Sequence, residues 1–302
     1  MSAATKPPPI AAKQEADSGD LPAMRLVISC RDQPGIVAAI SQFLFNAGAN
    51  ITRSDQFSTD PAHGEGQFLL RMEFSLEPEK RAEFAEAFGL RVADRFGMTW
   101  RVWDSAKRKR IAVFVSRYDH CLQDLLYRWK RDELGGEIVK VISNWEDARG
   151  TVEAAGLPFY HVPVSKETKA SAEDKHLELV QDCDFAVLAR YMQILSANFL
   201  DRVGMPVINI HHSFLPAFEG AGPYERAKER GVKLIGATAH YVTADLDAGP
   251  IIEQDVVRVT HENNVEDLVR VGAEVERNVL ARAVAWHCQD RVIRYGNTTV
   301  VF

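Results

Sequence analysis

The stretch Ile111-Ala112-Val113-Phe114-Val115 consists of five apolar residues in a row. A strand with one face in water alternates apolar and polar residues, whereas a strand that is covered on both faces is apolar throughout. Residues 111–115 therefore predict a buried strand of a parallel sheet. Short apolar strands then alternate with segments of helical periodicity as far as Ile210. This alternation predicts an open α/β sheet whose strands are mostly parallel.

The predicted elements continue to the end of the chain. Strands are predicted at 137–142, 159–162, 185–189 and 206–210, with helices at 122–129, 151–155, 173–181 and 197–203. Strands at 236–242 and 249–259, a long helix at 265–289 and a hairpin of 291–295 with 298–302 follow. Hydrophobic periodicity is the basis for each assignment.

A different pattern precedes the buried strand. Strands are predicted at 25–30, from Asn50 onward, at 67–74 and at 98–103. Helices are predicted at 36–47 and 79–88, and a turn is predicted at Gly64-Glu65-Gly66. The order is βαββαβ, which is typical of a ferredoxin-like unit.

The composition changes at two points, which predict three segments. Residues 1–23 contain Pro7-Pro8-Pro9 and no apolar period, so they are predicted to be a disordered tail. The ferredoxin-like unit occupies 24–106, and the α/β domain occupies 107–302. The cationic run Lys107-Arg108-Lys109-Arg110 at this boundary could bind an anion, but a solvated linker is the favoured interpretation.

Composition limits the class of protein. The chain has 302 residues, which fits two domains of about 150 residues each, and its net charge is -6, which argues against nucleic-acid binding. Its apolar runs are too short for a membrane helix, and no signal peptide precedes them, so a cytoplasmic location is expected. The four cysteines are widely spaced, which predicts free thiols rather than a disulfide framework or a zinc site.

Chemistry in an open α/β sheet sits beyond the carboxyl ends of the strands. The first such segment, Ser116 to Cys121, has no glycine that would let backbone amides cradle a phosphate. His120 could line a pocket, although a structural role is the favoured interpretation, and Cys121 has no evident activating base.

The second segment is Asn209-Ile210-His211-His212-Ser213-Phe214-Leu215-Pro216. Residues alternate faces along a strand, so Asn209 and His211 should point one way and His212 the other. An amide and an imidazole on one face could stabilise an oxyanion on an acyl group. The alternative is that both merely end a strand. The two histidines make a poor metal-binding pair, and Ser213 lacks the G-x-S-x-G context of a hydrolase nucleophile.

The third segment runs from His240 to Pro250 and contains Asp247-Ala248-Gly249-Pro250. Aspartate and glycine are typical of turns, so a structural role is favoured when the segment is taken alone. Asp245 and Asp247 are weak evidence for a cation site. The chain has neither H-E-x-x-H nor G-x-G-x-x-G, which disfavours zinc proteases and dinucleotide enzymes.

Taken together, the second and third segments resemble the active site of the 10-formyltetrahydrofolate transferases and hydrolases. The resemblance lies in Asn209-Ile210-His211-x-Ser213-x-Leu215-Pro216, followed by His240 and by Asp247-x-Gly249-Pro250-Ile251-Ile252. It implies a Rossmann-like sheet, a catalytic set of Asn209, His211 and Asp247, and neither a metal nor a cofactor. Met192 to Ser196 resembles the pterin-pocket segment of that family. The implied substrate contacts are Met192, Gln193, Ile194, Leu195, Val242, Thr243, Ala244 and Asp245, with His120 as a further candidate.

The ferredoxin-like unit resembles an ACT domain at Asp32-Gln33-Pro34-Gly35-Ile36-Val37. The resemblance implies a small amino-acid effector and a homo-oligomer (dimer, tetramer or hexamer). The implied ligand residues are Asp32, Pro34, Gly35, Ile36, Asn50 and Ile51.

An ACT domain joined to a formyl-folate catalytic domain resembles the formyltetrahydrofolate deformylases. The resemblance implies hydrolysis of 10-formyltetrahydrofolate to formate and tetrahydrofolate, in one-carbon and purine metabolism. Related transferases bind the acceptor's phosphate on a glycine-bearing loop, so the glycine-free segment 116–121 fits water as the acceptor.

Three alternatives stay open. They are a formyl transferase to an amine such as glycinamide ribonucleotide, a non-catalytic amino-acid sensor and a metal hydrolase. Glu219, Gly222, Glu225 and Arg226 are placed on a predicted loop whose contribution to the substrate site is unassigned.

Overall fold

Two sheets organise the chain in the computed structural model, which describes residues 23–59, 66–217 and 222–302. The predicted tail lies outside the described residues except for Ala23, which is the first residue of a strand. The predicted turn at 64–66 is described only at Gly66, and Glu219 is likewise outside the described residues.

The first sheet confirms the predicted βαββαβ order. Its elements are β1 (Ala23–Arg31), α1 (Ile36–Ala47), β2 (Asn50–Ser58), β3 (Gln67–Ser75), α2 (Pro78–Phe88) and β4 (Thr99–Asp104). The strand order is β2-β3-β1-β4, and every neighbouring pair is antiparallel. The second helix continues beyond its predicted end through a π-helical turn (Gly89–Ala93) into a short α3 (Asp94–Phe96).

The second sheet has seven strands. It begins with β5 (Lys109–Val115), α4 (His120–Lys130), β6 (Gly136–Ser143), α5 (Arg149–Ala154), β7 (Phe159–His161), α6 (Lys169–Val180) and β8 (Phe185–Leu188). It continues with α7 (Ala197–Val203), β9 (Val207–His211), α8 (Pro223–Arg230), β10 (Leu234–Tyr241), β11 (Ile251–Arg258) and α9 (Val265–Cys288). A separate hairpin of β12 (Val292–Tyr295) and β13 (Thr298–Val301) follows.

The predicted parallel sheet is confirmed. Its order is β11-β10-β9-β8-β5-β6-β7, and the pairs among β5 to β9 are parallel, whereas β10 and β11 pair antiparallel. Ile111, Val113 and Val115 pack into a core on one face, while Ala112 and Phe114 pack into a second core on the other. Cover on both faces is the physical reason for the unbroken apolar run. None of the described helices is long and apolar enough to cross a membrane.

Two sequence-based expectations are wrong. Residues 223–230 form α8 rather than a loop, so Glu225 and Arg226 lie on a helix. The segment is almost entirely polar, and it offers only Tyr224 and Ala227 as buried apolar positions, which is too weak a periodic signal to predict a helix. The run 107–110 is not all solvated linker, because Lys109 and Arg110 are the first residues of β5.

Lys109 is buried against the end of α9, beside a carboxylate that contacts cations from both halves of the chain. Its ammonium donates to the backbone carbonyls of His287 and Cys288 and lies 2.5 Å from a carboxylate oxygen of Asp290. Burial lowers the pKa of Lys109, and the adjacent Asp290 carboxylate opposes that shift. Arg25 and Arg101, from strands of the first sheet, also lie 3.5 Å from Asp290. One buried carboxylate therefore joins cations from both sheets.

Replacing this carboxylate should destabilise the fold. Asp290→Asn keeps a residue that tolerates the left-handed backbone at this position, where φ is 55°, but it leaves buried cations without their anion. We expect the free energy of unfolding to fall by about 3–5 kcal/mol in urea titrations. The exposed pair of Asp174 with Arg202 is the control, since Asp174→Asn should cost no more than about 1 kcal/mol. Equal effects of the two changes would contradict the bridging role.

A buried histidine on α6 makes stability depend on pH. His176 is enclosed by the rings of Phe114, Tyr191 and Phe199, and neither ring nitrogen has a partner among the described residues. Burial lowers the pKa of His176 to about 4. The unfolded chain therefore binds a proton on His176 near pH 6.5, whereas the folded chain binds it only near pH 4. Acidification between these two values favours unfolding.

His176→Leu should remove this pH dependence. The wild type should lose about 2 kcal/mol more unfolding free energy than the variant between about pH 7 and pH 5, because a shift of one pKa unit corresponds to about 1.4 kcal/mol. Urea unfolding across that range measures the difference, and His261→Leu, at an exposed position, is the control. Parallel pH profiles for the wild type and His176→Leu would refute the prediction.

Candidate active site

A pocket of about 290 Å³ opens beside the carboxyl ends of β8 and β9 and the loop that follows β10. Its lining includes Asn209, His211 and Asp247, which the sequence predicted as the catalytic set. Its lining also includes all eight predicted contacts on two loops, namely Met192, Gln193, Ile194, Leu195, Val242, Thr243, Ala244 and Asp245. The apolar side chains of Met192 and Ile194 are exposed there, as expected of a surface that a ligand covers.

Asp247 holds two imidazoles. One carboxylate oxygen lies 3.2 Å from Nδ1 of His211, and the other lies 3.6 Å from Nε2 of His240. The His211 hydrogen bond, with the His240 ring beside it, holds the pKa of Asp247 well below its usual range. Asp247 is therefore an anion at neutral pH, and it fixes a proton on Nδ1 of His211 because an ionised carboxylate can only accept.

The second nitrogen of His211 is available to a ligand. Nε2 is buried and has no hydrogen-bond partner among the described residues, although His211 belongs to the pocket lining. Beside it, Nδ2 of Asn209 lies 3.2 Å from Nε2 of His240. The Asn209 amide nitrogen carries two hydrogens, so one can face the pocket while the other meets His240. Asn209, and His211 when Nε2 also carries a proton, can thus donate to one acceptor atom.

Close backbone packing positions the loop that carries Asp247. The Tyr241 amide donates to the Pro250 carbonyl, which ties the two ends of the loop together. A Cβ on Gly249 would lie only 1.8 Å from the Tyr241 carbonyl oxygen, so no larger residue fits there. Asp247 itself has a φ of 54°, a left-handed conformation that aspartate tolerates better than most residues. The predicted turn residues therefore place a site residue as well as form a turn.

The other pocket loop is fixed at both ends. The amide of Met192 donates to Oγ of Ser116, which in turn donates to Oδ1 of Asn144. The amide and hydroxyl of Ser196 both donate to the buried carboxylate of Glu173 on α6. Loop 192–195 therefore has a defined backbone to offer a planar ligand.

A buried polar cluster next to the pocket was missed by the sequence analysis. The Glu276 carboxylate accepts from Tyr224 Oη and from His120 Nε2, both at 2.8 Å, and lies 3.5 Å from Nε of Arg190. Burial raises the pKa of Glu276, but the His120 hydrogen bond and the Arg190 charge outweigh it and lower the pKa. A glutamate in the apolar stripe of α9 was the available signal, because a lone acid there needs buried partners.

Two further residues differ from expectation. His240 was quoted in the motif without a role, yet it contacts both Asp247 and Asn209. His212 does not point away from the site, because β9 ends at His211 and the strand alternation stops there. His212 lines the pocket, and burial together with the charge of Arg190 lowers its pKa to about 4. His120 is not in the pocket lining but binds Glu276 beside it.

One group of residues in the described part of the chain could supply metal ligands. His120, Cys121 and Glu276 offer ligand atoms within 4.8 Å of one another. Burial raises the pKa of the Cys121 thiol well above its usual range, which opposes the thiolate that a metal would need. The Arg190 cation beside Glu276 also opposes a second cation. The cluster is therefore better suited to hydrogen bonding than to holding a metal.

The implied effector residues lie at one end of the first sheet. Gly35 precedes α1 with a φ of 91°, and the space above its Cα is open. Asp32, Pro34 and Asn50 are exposed, whereas the side chain of Ile36 is buried in the core. Ile36 could therefore offer a ligand only its backbone.

Comparison with known proteins assigns a family to each half of the chain. Residues 109–284 match the family described as formyl transferase, and residues 24–83 match the ACT domain. The chain is 57% identical over 281 residues to the formyltetrahydrofolate deformylase of Mycobacterium tuberculosis, covering 92% of this chain and 90% of that protein. It is 53% identical to the Bacillus subtilis formyltetrahydrofolate deformylase, covering 92% and 93%.

Solved structures give the same picture. A formyltetrahydrofolate deformylase from Pseudomonas syringae superposes with a TM-score of 0.89 at 49% identity, covering 95% of this chain and 96% of that one. The glycinamide ribonucleotide transformylase 1 of Symbiobacterium toebii superposes with a TM-score of 0.60 at 31% identity, covering 65% of this chain and 94% of that one. The additional residues of this chain thus align with deformylases.

Gly249→Ala should disable the site while sparing the fold elsewhere. The added methyl group must displace the loop from the Tyr241 carbonyl and move Asp247 away from His211. We expect the deformylase activity to fall about a hundredfold, because a displacement of a catalytic group by about 1 Å can lower a rate by that factor. Gly150→Ala, on a helix with open space around it, is the control and should retain activity. Full activity of Gly249→Ala would contradict the packing argument.

Proposed function

The chain belongs to the formyltetrahydrofolate deformylases, and on that premise we propose that Asn209, His211 and Asp247 carry out the hydrolysis of 10-formyltetrahydrofolate to formate and tetrahydrofolate. The observation that supports these roles most directly is that the two ring nitrogens of His211 have different surroundings. Its Nδ1 is held by Asp247, while its Nε2 is buried without a hydrogen-bond partner in the described part of the chain, and the residue lines the pocket. That arrangement leaves one imidazole nitrogen for the substrate.

The proposed chemistry uses two donors and a water molecule. Water attacks the formyl carbon, a carbon–oxygen bond forms, and negative charge develops on the formyl oxygen. Asn209 Nδ2–H and the imidazolium Nε2–H of His211 stabilise that charge, and each donor of this kind typically contributes about 3–4 kcal/mol. Asp247 holds Nδ1 of His211 and balances the charge of the imidazolium.

Collapse of the intermediate breaks the bond between the formyl carbon and N10. One proton of the attacking water passes to N10 within the polar set formed by Asp247 and the two histidines. The remaining proton leaves as formic acid ionises to formate at neutral pH. The balance of atoms is one formyl amide plus water giving one amine, one formate and one proton. No step draws on a metal or a redox cofactor.

The folate would lie between the two pocket loops. Backbone groups of 192–195 can pair with the edge of a planar heterocycle, and 242–245 face them across the pocket. The fixed ends of both loops support this role, since a preformed site costs little ordering on binding. We place the reaction in the cytoplasm.

The ACT domain is proposed to regulate this reaction through a small amino acid bound near Gly35. The open space at Gly35 and the exposed neighbours Asp32 and Asn50 support the proposal. A homo-oligomer is also proposed, because β2 is a nine-residue edge strand with Ile51 and Phe57 exposed. An unpaired edge of that kind favours pairing with another chain. Sedimentation of the purified protein as a monomer would contradict the oligomer.

The first test is formate release without any acceptor. Purified protein should release formate and tetrahydrofolate in equal amounts from 10-formyltetrahydrofolate, and glycine or methionine should change the rate if either is the effector. Formate release that requires an added amine would favour the transferase alternative, and no turnover at all would favour the sensor. Loss of turnover with a chelator would favour the metal hydrolase.

Variants of the catalytic set give the sharper prediction. Asn209→Ala and His211→Ala should each lower kcat about 10²–10³-fold, because each removes one oxyanion donor. Asp247→Ala should abolish turnover while the far-ultraviolet circular dichroism stays that of the wild type. His261→Ala and Asp201→Asn, both at exposed positions, are matched controls. A catalytic variant that keeps most of its kcat would remove that residue from the mechanism.

A further inference from the structure

Arg190 adopts a backbone conformation that is unfavourable for its side chain. The residue lies just after β8, at the edge of the sheet where the pocket opens, and its φ is 62°. Residues other than glycine rarely adopt this left-handed region, and those that do are concentrated at functional sites. The observation singles out Arg190 within the pocket lining.

The guanidinium of Arg190 has unused donors. The residue is 9% exposed, and neither Nε nor Nη1 has a hydrogen-bond partner among the described residues. A buried polar group normally has a partner, because an unpaired one costs its full desolvation free energy. The described chain therefore leaves two nitrogens of a buried cation, Nε and Nη1, without hydrogen-bond acceptors.

The neighbouring carboxylate does not fill this role. Both oxygens of Glu276 already accept short hydrogen bonds, from Tyr224 and from His120, and its contact with Nε of Arg190 is 3.5 Å long. Glu276 thus balances the charge of Arg190 from one side without using its hydrogen-bonding edge. The ring of Tyr118 lies 5.2 Å from the guanidinium and offers only a π face.

We propose that Arg190 forms a carboxylate subsite of the catalytic pocket and that its ligand is the formate that hydrolysis releases. The proposal rests on the function proposed above. A guanidinium binds a carboxylate through charge-assisted hydrogen bonds, and the unpartnered Nη1 of Arg190 can donate such bonds. Arg190 shares the pocket lining with Asn209 and His211, so the subsite adjoins the place where the formyl group reacts.

The charge balance of the reaction explains why a hydrolase would keep this cation. Hydrolysis turns a neutral formyl amide into formate, so the cation pairs with an anion that only the hydrolytic product carries. Transfer to an amine would produce another neutral amide and no anion. The same cation repels the ammonium form of an amine acceptor, which makes Arg190 a determinant of specificity for water.

Formate binding can be measured without turnover. Formate carries a single carbon-bound proton, so saturation-transfer proton NMR should detect formate bound to the wild-type protein. Formamide, the neutral analogue of formate, should bind at least about tenfold more weakly. Arg190→Gln should weaken formate binding at least about tenfold, because it removes a charged hydrogen-bond donor. Arg190→Lys keeps the charge but loses the planar guanidinium, and should give an intermediate affinity.

Arg117→Gln is the matched control, since Arg117 is exposed and stacks on Trp145 rather than on a pocket residue. In parallel, formate should inhibit turnover of the wild type and of Arg117→Gln equally, and inhibit the Arg190 variants more weakly. Wild-type protein that binds no formate, or equal formate affinity in wild type and both Arg190 variants, would overturn the subsite. Failure of formate release by wild-type protein that still binds formate through Arg190 would instead overturn the proposed function.

Discussion

The last carbonyl groups of α9 are buried between the two sheets, and buried carbonyls must be paired. Cations from both halves of the chain supply the partners. Lys109 donates to His287 and Cys288, Arg25 donates to Cys288, and Arg71 donates to Gln289. Positive charge is also favourable at a helix carboxyl end because of the helix dipole. Much of the fold depends on this pairing, because α9 packs against β9, β10, β11 and α4.

The same helix connects that interface to the catalytic pocket. Glu276 lies in the middle of α9 and holds the cluster around Arg190, while His287 near its end accepts or donates at the hydroxyl of Tyr241. Tyr241 and His240 are adjacent on β10 and project to opposite faces, as strand geometry requires. One strand and one helix therefore place residues both at the interface between the sheets and in the active site.

Much of the fold was predictable from local patterns. The unbroken run 111–115 predicted a doubly covered strand, and the order of apolar periods predicted both sheets. Helix α8 was not predictable, because its sequence is mostly polar. Two buried side chains and packing against α9 stabilise it. The burial of Lys109 was also hidden, since its partner Asp290 is distant in sequence and only the tertiary fold brings them together.

The site was predictable where its residues belong to contiguous motifs. Asn209, His211 and Asp247 meet in one pocket because β10 runs antiparallel beside β9, with His240 opposite Asn209, and the loop after β10 carries Asp247. Arg190 and Glu276 escaped prediction because each is a single charged residue in an apolar segment, and its meaning depends on which partners face it. Residues of a motif lie close together in the sequence, so their spacing can be recognised there. The partners of a buried charge are distant in sequence and are identified only from the folded structure.

The closing hairpin has a consequence for the order in which the molecule is completed during synthesis. Ile293 of β12 packs against Val27 and Leu69 on the face of the first sheet that its helices leave open. The ribosome makes that sheet early, and the hairpin that covers it only after the whole second sheet. The nascent first domain therefore leaves the small apolar patch of Val27 and Leu69 uncovered until nearly the whole chain has been made.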